Sequence, residues 1–140
     1  MREAFKSELI LRALSPAELL KRYGSAAKQY YELWSALEFE SGWFGQVLVP
    51  AGFTSDFASV PRAARWYVDD DDPDILYPSI IHDYLYACGG RLPNGHVYTR
   101  AQADQVLREA MQAVDARPDR IQVVYLAVRA GGAEHWKEAA

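Results

Sequence analysis

The chain has 140 residues, half of them hydrophobic and 13% aromatic, which suits one domain with a sizeable core rather than a disordered segment. A formal charge of -4 argues against a general nucleic-acid binder, and the single cysteine, Cys88, excludes an internal disulfide and a cysteine-rich zinc site. The opening "MREAFKSELILRAL" carries charges in every turn, and no run reaches the roughly 20 apolar residues of a membrane span, so neither a classical signal peptide nor a transmembrane segment is expected.

In chain order, Leu9, Leu11, Leu14, Leu19, Leu20 and Tyr23 predict helical material over residues 1–27, restarted by Ser15-Pro16 as N-cap and first helical residue and ended by Gly24. "QYYELWSALEFE" from Gln29 to Glu40, then "WFGQVLVP" after Ser41-Gly42, predicts a β-hairpin. "PAGFTSDFASVPRAARWYV" predicts an ordered loop pinned by Phe53, Phe57 and Val60, and "DDDDPD" (69–74) a solvated acidic bend. Pro78 opens a helix through about Cys88, stopped by Gly89-Gly90. Asn94-Gly95 signals a turn. Thr99 with Gln102 forms a capping box that opens a helix to about Ala116, with Ala103, Val106, Leu107, Ala110, Met111 and Val114 as its apolar stripe. Pro118 starts a last helix that Gly131-Gly132 close. The expected fold is α+β in one domain: an N-terminal helical segment, a hairpin, an ordered loop and three helices, with a core over 28–132 and a tail over 133–140.

Six polar positions stand out from this periodicity. At 100° per residue, Tyr77, Ile81, Tyr84, Leu85 and Cys88 share one side of their helix, while His82, Asp83 and Tyr86 share the other. Arg100 projects within the apolar stripe of the next helix and Asp104 lies on its edge, so these two are expected to meet each other or polar groups on the first helix. Asp56 sits between aromatics, and either ties its own loop together or holds a cation. An imidazole with a carboxylate on its far nitrogen is a better-oriented base, and a neighbouring carboxylate facing elsewhere can hold Ca²⁺. His96 and His135 lack neighbours at ligand spacing, and nothing in the sequence marks Ser59 or Ser79 as a nucleophile.

"VPAGFTSDFASVPR", "IIHDYLY", "TRAQADQVLREAM" and "YLAVRAGG", in that order, resemble a bacterial and phage family known as domain of unknown function 1353, over about residues 29–132. That resemblance implies a phage connection, in the host cytoplasm or on the virion, and carries no activity. The His-Asp-x-x-Tyr helix followed by an aspartate-bearing helix is similar to the core of the phospholipase A2 superfamily, over about residues 78–111. This second resemblance implies His82 as general base, Asp104 orienting it with help from Tyr86, Ca²⁺ on Asp83 with Asp56 as a further ligand, and a lipid ester as substrate; Arg100, from its place in the apolar stripe, is expected in a supporting role. The family's glycine-rich calcium loop and disulfides have no counterpart here. The rival expectation is a non-catalytic phage protein, a virion component or an inhibitor of a host protein, in which the same residues form a buried network.

Overall fold

The computed structural model describes residues 4–57, 59 and 73–137, with backbone alone at 73 and 74. Val60, expected to pin the long loop, and the acidic residues 69–72 lie outside the described residues. Five strands come first: β1 (Leu11–Ala13), β2 (Tyr31–Leu33), β3 (Leu37–Ser41), β4 (Gly45–Val49) and β5 (Thr54–Ser55), with helix α1 (Pro16–Tyr23) between β1 and β2. Three helices follow, α2 (Pro73–Ala87), α3 (Arg100–Ala113) and α4 (Pro118–Gly131), and a short 3₁₀ turn at Ala133–His135. The fold is α+β, as its composition and patterning imply.

The N-terminal segment is not helical throughout. Leu11–Ala13 pairs antiparallel with β2, Leu11 opposite Leu33, and β2 pairs in turn with β5, giving a sheet in the order β1-β2-β5. Leu9 and Leu11 alternate at the strand period of two, which the helical reading overlooked. The helix that does form has its expected ends: Ser15 Oγ accepts from the Glu18 amide, and Gly24 closes it at φ 75°.

The expected hairpin is split. Tyr31–Leu33 belongs to the three-stranded sheet, while β3 and β4 form a separate hairpin in register from Leu37 opposite Val49 to Ser41 opposite Gly45. Its alternating Leu37, Phe39, Val47 and Val49 are fully buried against the helices. Glu109 of α3 ties the hairpin turn down, accepting from Ser41 Oγ at 2.6 Å and from the Gly42 amide at 2.5 Å.

α2 begins at Pro73, five residues before the position expected, and carries Pro78 inside it. Pro78 donates no bond to the residue 74 carbonyl, and the surrounding core compensates. The helix packs against α3 and β4, and every residue from Pro78 to Tyr86 is buried. Its polar side is therefore covered as well as its apolar side. Ile80, Ile81, Leu85, Val106, Leu107, Ala110 and Met111 are at most 1% exposed, and each of the larger ones contributes about 1.5–3 kcal/mol by leaving water. The link from α2 to α3 is fixed by a close backbone approach: Tyr98 N–H donates to Gly90 O at 2.7 Å, and a Cβ on Gly90 would fall 1.9 Å from Tyr98 O.

The α3 capping box is present in both directions, and all six residues of its apolar stripe are buried. The tail is not free: Trp136 packs edge-on against Tyr86 with ring centroids 5.1 Å apart, and the Lys137 amide donates to Tyr86 O at 3.0 Å. No described helix is long and apolar enough to cross a membrane.

Candidate active site

α2 presents His82 and Asp83 about 100° apart on one side, and both reach Ser59. His82 is 0% exposed, and its Nε2 lies 2.7 Å from Asp104 Oδ1 of α3, also 0% exposed. Tyr86, one turn beyond His82, donates its hydroxyl to the same oxygen at 2.6 Å. The other oxygen, Oδ2, accepts from Arg129 Nη1 of α4 at 2.7 Å, with Arg100 Nη1 at 3.7 Å. Arg100 is held in place by donating to Tyr86 OH, Val128 O and Arg129 O, the last two being carbonyls at the end of α4. His82, Asp104, Tyr86 and Arg100 thus converge as the sequence implied. Arg129 was not anticipated; it closes the shell from a third helix.

This shell fixes the chemistry of the imidazole. Burial would raise the Asp104 carboxyl, but the hydrogen bonds from His82, Tyr86 and Arg129 outweigh it and hold Asp104 below its usual value, ionised. Burial lowers the His82 imidazole, and the bond to Asp104 does not reverse that. The buried carboxylate is balanced by arginine, so His82 need not carry charge. An ionised carboxylate only accepts, so the His82 proton sits on Nε2 and points at Asp104. Nδ1 is left with its lone pair.

That lone pair faces a residue that nothing in the sequence marks. Ser59 Oγ lies 2.9 Å from His82 Nδ1, so the Ser59 hydroxyl donates to the imidazole, and Ser59 is itself 4% exposed. The loop that carries Ser59 is held by Asp83. Asp83 Oδ1 accepts from the Ser59 amide at 3.2 Å, and Oδ2 accepts from the Ser55 hydroxyl. Ser55 Oγ in turn accepts from the Phe57 amide at 2.9 Å. Between them Phe57 adopts φ 62°, the left-handed region that costs a bulky residue about 1 kcal/mol or more. A carboxylate on the helix therefore grips both ends of a tight turn. Only the small polar spacing of "TSDFASVP" hinted at such a turn, and no periodicity links Ser59 to a histidine 23 residues away.

Over residues 31–128 the chain matches the family model described as "Protein of unknown function (DUF1353)". It belongs to this family. No curated protein and no solved structure matches it. The DUF1353 span contains Ser55, Ser59, His82, Asp83, Tyr86, Arg100 and Asp104, and stops one residue before Arg129.

Calcium takes six to eight oxygen ligands, several of them carboxylate or carbonyl. Around Asp83 the described residues offer hydrogen-bond donors to both carboxylate oxygens, and Asp56 forms an ion pair with Lys28 at 2.8 Å. Among the described residues no group of three or more His, Cys, Asp or Glu side chains is placed to hold a metal ion. Among the described residues this donor set does not make up a calcium shell.

The two lowered groups make stability pH-dependent. Above the ordinary histidine value of 6.5, His82 is neutral in both folded and unfolded chains. As pH falls below it, the unfolded chain takes up a proton that the folded one refuses, so stability drops, by up to about 1.4 kcal/mol per pH unit and group. Asp104 adds to the loss only below its own usual 3.8. Denaturant midpoints measured from pH 7 down to pH 5 should fall steadily, and His82→Gln should flatten the curve in that window; an equal slope in the variant would assign the loss to other groups.

Proposed function

We propose that this protein hydrolyses carboxylic esters, with His82 as general base and Asp104 as the carboxylate that orients it. The observation that carries this reading is the 2.7 Å bond from His82 Nε2 to a buried, arginine-balanced Asp104, which leaves Nδ1 unprotonated and accepting from a hydroxyl. Nδ1 takes the proton of the attacking hydroxyl and returns it to the leaving alcohol. Tyr86, on the same oxygen of Asp104, keeps the carboxylate from turning. Lipid esters are the first substrates to try, because the histidine, the second-helix aspartate and the tyrosine to which the likeness to phospholipases A2 gives these roles lie within hydrogen-bond reach of one another.

A second reading is a non-catalytic phage or host-binding protein built around a structural network, favoured by the complete burial of His82 and Asp104. The two separate on His82→Gln. Hydrolysis of p-nitrophenyl esters and of phosphatidylcholine vesicles is measured at pH 8, with Ca²⁺ and with chelator. The hydrolase reading expects turnover by the wild type in either condition, and a loss of about 10²–10⁴-fold in the variant with its circular dichroism retained. No turnover on any ester, with a large fall in melting temperature, would leave the network reading alone.

A further inference from the structure

We infer that Ser59 is the nucleophile of this site, so that the ester is cleaved through an acyl group carried on Ser59 Oγ rather than by direct attack of water. This rests on the ester-hydrolase reading. An imidazole nitrogen has one in-plane lone pair, and that of Nδ1 is already engaged by Ser59 Oγ at 2.9 Å. A water acting as nucleophile would have to hold the same lone pair, and the serine hydroxyl stands in its place. Ser59 Oγ–H donates to His82 Nδ1 and His82 Nε2–H donates to Asp104, so Nδ1 can take the hydroxyl proton while Asp104 stays ionised and holds the ring.

The placement of Ser59 is over-determined in a way that satisfying a buried imidazole does not require. Its amide is bonded to Asp83, its loop is closed by Ser55, and the turn between them stores the left-handed Phe57. All three residues in the line are buried, Ser59 at 4% exposure and His82 and Asp104 at 0%. One further donor is uncommitted on the same helix. Ser79, 1% exposed, carries the one buried side-chain oxygen without a hydrogen-bond partner among the described residues. Three and four residues before His82 and Asp83, it shares their side of α2.

The steps balance as ordinary acyl transfer. Ser59 Oγ gives its proton to His82 Nδ1 and bonds to the ester carbonyl carbon, whose π electrons move to oxygen. The carbonyl reforms as the alkoxide leaves, and the alkoxide takes the proton from Nδ1–H to depart as alcohol. Water then gives a proton to Nδ1 and attacks the acyl carbon; Ser59 Oγ leaves and recovers that proton. The net change is ester plus water to acid plus alcohol.

The test uses the wild-type protein first, so that no variant need fold. It is incubated with an alkyl fluorophosphonate, which phosphonylates activated serines, and examined by intact mass and peptide mapping. One adduct on Ser59, with a burst of about one equivalent of p-nitrophenol from p-nitrophenyl acetate, is expected. Ser59→Ala should lose the adduct and lower kcat on the order of 10³-fold or more, and Ser59→Cys should restore a burst. Hydrolysis at wild-type rate in Ser59→Ala, with no adduct, overturns the nucleophile and leaves the His82 reading standing. An adduct mapped to another serine also overturns it. A wild type that neither hydrolyses esters nor reacts overturns both.

Discussion

Asp104→Ala lowers the free energy of unfolding by about 3–5 kcal/mol, the usual cost of removing one partner from a buried ionic cluster. For a domain of this size that is a fall of about 10–15 °C in melting temperature, and a large part of the whole margin of stability. The size follows from what the carboxylate satisfies. Without it, His82 Nε2–H and the Tyr86 hydroxyl lose their acceptor inside a region where both residues are at most 1% exposed. Arg129 loses its short bond too, but at 34% side-chain exposure it can turn to water and costs little. Arg129→Ala should therefore destabilise by about 1 kcal/mol, well under the aspartate variant. Calorimetric unfolding of the two variants checks this ordering; near-equal losses would mean that the arginine, not the histidine and tyrosine, dominates the cluster.

What the sequence made legible was local. Ser15 and the Thr99 and Gln102 pair mark helix starts because a cap is satisfied within three residues, Pro118 marks one because its fixed φ suits the first helical position, and each helix starts there. The strand at Leu11–Ala13 was missed because its partner, β2, lies about 20 residues away and leaves no local mark. The start of α2 was misplaced because Pro78 looks like a first-turn proline when tertiary packing in fact tolerates it inside the helix. Projection sorted α2 correctly into two sides, yet the polar side is not wet. A helix enclosed by a sheet, a second helix and a loop has no solvent face, so amphipathicity ceases to report exposure.

The same division runs through the site. His82 and Asp104 could be paired from sequence, because each is a polar residue at a helical position that should be buried, and two such residues must find each other. In sequence Asp56 reads as a loop tie or a cation ligand and Asp83 as a carboxylate able to hold Ca²⁺; in the structure Asp83 accepts from the turn that carries Ser59, and Asp56 pairs with Lys28. Ser59 itself is a small polar residue in a proline-bounded loop, indistinguishable in sequence from any loop serine until the fold brings it to Nδ1.

Asp104→Asn separates stability from catalysis and should lower kcat on the order of 10⁴-fold, the scale of penalty when such a histidine is locked in the wrong tautomer. Asparagine keeps the shape of the side chain but has one accepting oxygen. Arg129 donates to the Oδ2 position at 2.7 Å, and donors also face the Oδ1 position from His82 and Tyr86. The charged guanidinium takes the amide oxygen, which turns the NH₂ toward the imidazole. Nε2 must then accept, and the histidine proton moves to Nδ1, where it faces Ser59 Oγ and removes the lone pair on which attack depends. Ser59 can still donate elsewhere, but not to its base. The loss of stability is smaller than in the alanine variant, because the volume is filled and the arginine keeps an acceptor. Turnover on the best ester substrate, the ¹⁵N shifts of the His82 ring and thermal unfolding of the same sample together decide the matter. A flipped tautomer with activity near wild type would show that Nδ1 is not the base, whatever the ester chemistry of the protein.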